Sequence, residues 1–271
     1  MIRKLIFLLA WLPAMLQAAA TLTVALEKAD NRPFEYLDGN GHLTGFHVEV
    51  ISGVCQQLGW QLRFKPLPWK RAEIELASGQ VDAVSYMAST PVRQRVALFL
   101  PGNRLHLQQV GVFVLRTRLD ELPYQPPLVA MVKRYRFGAA NNYFYSQEIN
   151  NLISLGAVET SATTALQLMD MLQARRYDMV FATLNSLLPL KESNAELMRQ
   201  IVRVPGVAFN PAAVYLAFTR QGHGVVLAED FSRAYATFRG KPAYRQLADK
   251  YGVAELLPDW DKPLSATDAP Q

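Results

Sequence analysis

Short apolar runs alternate along this chain with stretches whose apolar positions recur every three or four residues. Leu22–Leu26 reads as a buried strand, and Asp38-Gly39-Asn40-Gly41 as a turn between two short extended pieces. From Val48 to Leu58 the apolar positions Val50, Ile51, Val54, Cys55 and Leu58 fall at helical spacing, with Gly59 as the stop. Strand Leu62–Phe64, helix Arg71–Ser78 and strand Val81–Ser85 follow, and Thr90-Pro91 opens a further helix as N-cap and first helical residue. Beyond strand Gly111–Arg116, the prolines 123, 126 and 127 mark a loop. Alternation then resumes: strand Phe137–Ala139, helix Ser146–Leu155, strand Ala157–Thr160, helix Thr163–Arg175, strand Met179–Ala182 and strand Val214–Thr219. Helices Val225–Phe238 and Ala243–Tyr251 close the pattern. Strands separated by about a dozen helical residues predict an α/β fold with mostly parallel sheets and crossover helices.

The first twenty residues follow a different pattern. Arg3 and Lys4, an apolar run Leu5–Leu12 and the small residues Ala18-Ala19-Ala20 have the layout of a secretory signal peptide, too short for a membrane span. Residues 1–20 are therefore expected to be removed and the protein to be periplasmic. Removing 20 residues from 271 leaves 251, enough for one large or two medium domains. The 28 Lys and Arg stand against 23 Asp and Glu and are scattered, so no basic stripe invites nucleic acid. The one cysteine, Cys55, excludes an internal disulfide and a cysteine-based zinc site, and its place on an apolar helix face predicts a core role.

Ala77–Val84 and Ala174–Val180 echo one another: a helix end, a turn, then an Asp opening a strand. Two similar βαβ halves would mean two lobes with a sheet each. Ligands of open parallel sheets lie beyond the carboxyl ends of the strands. That directs attention to Glu27–Arg32, Trp69, Ser85–Thr90, Asn141–Tyr145 and Ala182–Ser186.

Pro33-Phe34-Glu35-Tyr36, the hairpin ending Leu43-Thr44-Gly45-Phe46, Pro68-Trp69, Ser78–Ala83 and Ser89-Thr90-Pro91-Val92-Arg93, read in order, resemble the family 3 extracellular solute-binding proteins. The similarity is specific in the first lobe and thinner in the second, at Phe137-Gly138 and Arg175–Met179. It implies a type II periplasmic-binding clamshell. One lobe would comprise residues 21–107 and 212–271 and the other 108–211, each a mostly parallel sheet flanked by helices, joined by two hinge crossings. The implied role is capture of a small carboxylate-bearing solute, amino acid-like or an organic acid, for an inner-membrane ABC permease. The mature chain would be a monomer without a membrane span, a cofactor, a metal, catalytic residues or a nucleic-acid partner.

Arg93 is the leading candidate ligand residue. It lies in the first turn of a helix, where free N–H groups already favour an anion, and a guanidinium can grip a carboxylate with two parallel hydrogen bonds. Position alone leaves a solvated arginine equally open; the family's use of an Arg at this motif favours the ligand role. Thr90 shares its turn. Ser85 and Tyr86 follow a strand and are expected to face the cleft, whereas Trp69 is either a pocket wall or core. Phe34 is expected in the core.

Departures from the family pattern are equally informative. Where the resemblance calls for an acid to hold an α-ammonium stands Lys28, and a second acid would fall at Thr183. Asn31 replaces an aromatic, Ala88 a Ser or Thr, and Asn142-Tyr143-Phe144 a Gly-Thr-Thr helix start. These positions remain candidate ligand contacts: Asn31, Asn142, Tyr143 and Thr183. The pattern predicts a ligand other than a standard α-amino acid, such as an organic acid or an aromatic anion stacking on Tyr143, Phe144 and Tyr145. A shifted acid, Glu148 or Asp178, would restore the ammonium site.

Two other readings stand beside this one. A co-receptor for a membrane sensor would have similar lobes. A periplasmic enzyme of the cyclohexadienyl dehydratase type would need a cleft acid or base, for which only Glu27 and Glu148 offer themselves. The four histidines, His42, His47, His106 and His223, are assigned to turns or loops and form neither a triad nor a metal site.

Overall fold

A computed structural model of the chain describes residues 20–28, 30–141 and 143–258. The signal-peptide segment, apart from Ala20, and the candidate Asn142 lie outside the described residues.

The chain order is β1 (Thr21–Glu27), β2 (Tyr36–Leu37), β3 (Leu43–Thr44), α1 (Phe46–Leu58), β4 (Gln61–Leu67), α2 (Trp69–Ser78), β5 (Ala83–Ala88), α3 (Pro91–Gln94), β6 (Ala97–Leu98), β7 (Arg104–Gln108) and β8 (Val110–Leu115). There follow α4 (Leu128–Arg134), β9 (Phe137–Ala140), α5 (Gln147–Ser154), β10 (Glu159–Ala162), α6 (Ala165–Gln173), β11 (Met179–Thr183), α7 (Leu184–Ser193), α8 (Ala195–Gln200) and β12 (Ile201–Arg203). The last are β13 (Ala212–Thr219), α9 (Gly224–Arg239) and α10 (Pro242–Tyr251).

Two sheets result. The first runs β4-β1-β5-β13-β6, with β7 also on β13; β1 is parallel to β4 and β5, and β13 is antiparallel to β5. The second runs β10-β9-β11-β8-β12, with β9 parallel to β10 and β11 and the other pairs antiparallel. The chain passes between the sheets at Gln109 and again between Arg203 and Ala212.

Both sheets are covered on both faces. Val24, Ala83 and Phe218 of the first sheet pack with α1, α9 and α10, while Ala25, Val84 and Ala217 pack with α2. The second sheet divides the same way, with Phe137 and Phe181 on one face and Val180 and Ala182, with α6 and α7, on the other. This is why its strands read as continuous apolar runs. Cys55 is buried in the first core.

The sequence echo has a structural counterpart. Helices α2 and α6 both end in a left-handed residue, Gly79 (φ 73°) and Arg175 (φ 56°). The aspartate that follows accepts the backbone N–H at the start of the neighbouring strand: Thr23 N–H to Asp82 at 2.7 Å, Arg136 N–H to Asp178 at 3.0 Å. The same short device sets the register of a parallel pair in each sheet.

Several elements differ from the sequence pattern. The first helix starts at Phe46, two residues early, because Gly45 at φ 124° turns the chain directly into it. Consequently His47 is helical, and His106 is a central residue of β7; neither lies in a turn or loop. The strand after α2 starts at Ala83 and runs to Ala88. Helix α7 follows β11 directly in a stretch to which the sequence pattern assigns no element, and the same holds of α4, α8, β7 and β12.

Candidate functional site

The carboxyl ends of β1, β5 and β11, together with the loop after β9, bring most of the candidate residues into two neighbouring groups. In the first, Trp69 and Glu73 stand one helical turn apart on α2 and face Arg93 of α3. Arg93 donates from Nε to one oxygen of Glu73 at 3.0 Å and from one terminal nitrogen to the Ala88 carbonyl at 3.1 Å, while its other terminal nitrogen stands in an ion pair 3.0 Å from the same Glu73 oxygen. Its guanidinium lies over the Trp69 ring, 5.0 Å from the centroid. Thr90 caps the helix, accepting the Arg93 backbone N–H at 3.3 Å.

A guanidinium has five N–H donors. These contacts engage at most three, so each terminal nitrogen keeps an N–H for a further acceptor. The side chain retains 22 % of its exposure. Glu73, Ala88 and Trp69 therefore orient Arg93 without using it up. Trp69 is half-buried, with one face against the cation.

The second group spans the two sheets. Asn185, in the first turn of α7, donates its amide to the Tyr86 hydroxyl at 2.6 Å. Tyr86 sits at φ 60°, a backbone region rare for a bulky residue, and the bulge it makes coincides with a register shift between β5 and β13. Burial raises the Tyr86 hydroxyl well above the ordinary tyrosine value, and the charge on Glu35 raises it further. Tyr143 is half-buried and is raised by burial and by the charge on Glu27. Glu27, at the end of β1, accepts from Asn31 at 3.3 Å. Asn31, Tyr86 and Tyr143 thus gather near the acid Glu27.

Other candidates are placed less simply. Ser85 is fully buried and donates its hydroxyl to Glu35 rather than facing open space. Thr183 is buried, and its hydroxyl has no partner among the described residues, as is true of the Asn185 carbonyl oxygen. Tyr145 is 1 % exposed and its hydroxyl is held by the Ala140 backbone, so it does not offer a stacking face. Asp178 cannot restore an ammonium site: it sits at the opening end of β11, opposite Thr183, and binds Arg118 and Arg136. Glu148 is exposed on α5. Phe34 is core, stacked on His106 at 4.0 Å between centroids.

Glu35, Glu73, His47, His106 and Asn185 carried no assigned role in the sequence. Glu73 was within reach, since a residue four beyond Trp69 on a helix shares its face. The histidines were not, because they meet each other across 59 residues of chain. Among the described residues, no group of three His, Cys, Asp or Glu is arranged to hold a metal, and no helix is long and apolar enough to cross a membrane.

The paired α/β sheets with helices on both faces, joined by two crossings, define the type II periplasmic-binding fold. A sensor domain of a histidine kinase, described as similar to periplasmic binding proteins, matches at a TM-score of 0.68 and 19 % identity, covering 88 % of this chain and 98 % of that one. A Salmonella typhimurium periplasmic binding protein with high arginine specificity matches at 0.62 and 20 % identity, over 86 % and 99 %.

At the level of family, residues 22–119 match the bacterial extracellular solute-binding proteins, family 3. A Haemophilus influenzae protein named as a probable amino-acid ABC transporter-binding protein is 38 % identical over 53 residues. That match spans about a fifth of each chain, 20 % of this one and 21 % of the relative.

Proposed function

We propose that this protein captures a small carboxylate-bearing solute in the periplasm and delivers it to an inner-membrane ABC transporter, without altering it chemically. Lobes formed by residues 21–107 with 212–271, and by 108–211, would close on the solute, the first twenty residues having served for export. The observation that carries this reading is Arg93: a guanidinium fixed on three sides by Glu73, Ala88 and Trp69, with two N–H groups left for an anion. Thr90, Trp69, Asn31, Tyr86 and Tyr143, with Thr183 at the end of β11, Asn185 at the start of α7, and Asn142, would complete the pocket. The relative named as an ABC transporter-binding protein and the arginine-specific structural neighbour support a solute-binding role.

Isothermal titration of the protein with amino acids, dicarboxylates and aromatic acids tests this. Binding that needs Arg93 supports it, and silence across the panel contradicts it. A second reading, a sensing role at a membrane receptor, draws on one observation, the likeness to a histidine kinase sensor domain. Co-purification with a permease or with a sensor kinase separates the two.

A further inference from the structure

Beneath the cleft floor, on the α1 side of the first sheet, lie three titratable groups that solute capture at Arg93 does not use. Glu35 is 1 % exposed, His47 and His106 are 0 %. One oxygen of Glu35, Oε1, accepts the Ser85 hydroxyl and lies 3.0 Å from His47 Nδ1; His47 Nε2 lies 3.0 Å from His106 Nδ1. At the two ends of this hydrogen-bonded series, Glu35 Oε2 and His106 Nε2 are buried without a partner among the described residues. The two imidazoles spend a nitrogen each on one another, so the set does not converge on a metal position.

The titratable groups facing Glu35 are His47 from α1, His106 from β7 and Tyr86 from β5; Glu27 and Tyr143 act on Tyr86 from further out. Among the described residues, no Lys or Arg pairs with Glu35. Burial raises Glu35 from 4.5 to about 7 and lowers His47 from 6.5 to about 3; burial and then His47 keep His106 well below the ordinary histidine value.

A neutral imidazole donates from one nitrogen and accepts at the other, so the chain has two consistent arrangements. With Glu35 ionised, His106 Nδ1–H donates to His47 Nε2, His47 Nδ1–H donates to Glu35, and His106 Nε2 carries a lone pair. Adding one proton at His106 Nε2 and passing each bridging proton one step along leaves Glu35 as a neutral acid. In that arrangement Glu35 donates to His47 Nδ1, and His47 Nε2–H donates to His106 Nδ1. One proton is gained, one negative charge is lost, and neither histidine becomes an imidazolium.

We propose that Glu35, His47 and His106 form a single proton-binding site that flips both histidine tautomers when occupied, and that an anion in the cleft is bound together with this proton. The link is electrostatic and runs through Tyr86, whose ring packs on both imidazoles, 5.5 Å from His47 and 5.1 Å from His106 between centroids, and whose hydroxyl meets Asn185 at 2.6 Å. An anion beside Tyr86 is therefore favoured when Glu35 is neutral. This second half rests on the carboxylate reading; the proton site does not.

Nitrogen NMR of the full chain with labelled imidazoles, titrated from about pH 5.5 to 8.5, tests the site without any ligand. The expected result is that His47 and His106 exchange Nδ1–H for Nε2–H together as pH falls, in step with the Glu35 carboxyl carbon, and that Glu35→Gln abolishes the exchange, each histidine keeping one tautomer over the whole range. Histidines that keep one tautomer throughout in the wild type, or that become imidazolium, overturn the site. Titration with glutamate, succinate and benzoate at pH 6.5 and 8.5 tests the coupling. Binding roughly fivefold or more tighter at the lower pH, with the difference absent in Glu35→Gln, is expected. Equal affinities overturn the coupling alone, whereas no binding by any probe overturns the solute reading and leaves the proton site to the tautomer result.

Discussion

Asn185 and Tyr86 join the two sheets: the amide of the first residue of α7 to be fully buried donates to the hydroxyl of a tyrosine held at φ 60°, at 2.6 Å. A left-handed backbone costs a bulky residue about 1–2 kcal/mol, and it is kept where β5 meets the cleft. The bulge aims the ring at the second sheet. The Asn185 carbonyl oxygen is left without a partner among the described residues.

Asn185→Ala removes the bond between sheets and the unpartnered carbonyl together. We expect solute affinity to fall by about tenfold, the equivalent of 1.4 kcal/mol, with the melting temperature little changed. Tyr86→Phe should behave alike, because it deletes only the acceptor. Calorimetric titration of both variants, with scattering to follow closure, checks this.

Glu73 acts through Arg93. Glu73→Gln keeps the shape but removes the charge that orients the guanidinium. Affinity for a carboxylate should fall several-fold while a solute lacking a carboxylate is unaffected, as measured by paired titrations. Glu73→Ala should be worse, since Arg93 then loses both its hydrogen bond and its ion pair to this side chain.

Stability should carry the signature of Glu35. Its folded value of about 7 lies above the ordinary 4.5, so the folded state holds the proton more tightly. That contribution is whole below about pH 4.5 and is lost as pH rises through about 7. His47, lowered from 6.5 to about 3, contributes in the opposite sense: its part is whole above pH 6.5 and lost as pH falls towards 3. Glu35→Gln deletes only the first effect. Relative to this variant, the wild type should lose about 3 kcal/mol between pH 4.5 and 7, measured by denaturant unfolding at a series of pH values.

Gly45 tests the local origin of the site. Its φ is 124°, and a Cβ there would meet the Phe34 carbonyl oxygen at 2.2 Å. Phe34 N–H and Glu35 N–H both bond to the Asn31 carbonyl, fixing the loop that carries Asn31 and Glu35. Gly45→Ala should destabilise by about 2–3 kcal/mol or more and disturb this loop, seen as a lowered melting point and weakened solute binding.

The alternation of strands and helices was legible because both faces of each sheet are covered, giving apolar runs and amphipathic stretches their clear periods. Arg93, Trp69 and Thr90 could be singled out because a helix start concentrates their chemistry within a few residues. Helix α7 was hidden by Pro189 within it and by a run of leucines without clear polar spacing. The Glu35–His47–His106 chain was hidden for a different reason. Its members lie 12 and 59 residues apart along the chain, and only the packing of α1 and β7 against one face of the sheet brings them together. Asn185 likewise gains meaning only from Tyr86, 99 residues away.

The most direct test is calorimetric titration of a panel of small carboxylates into the wild type and Arg93→Ala. Binding of at least one carboxylate by the wild type, weakened in the variant by about a hundredfold or more, is the predicted result, since an uncompensated carboxylate would lose two charge-assisted hydrogen bonds. Equal affinity in the two proteins would show that the solute is held elsewhere, and would contradict the account.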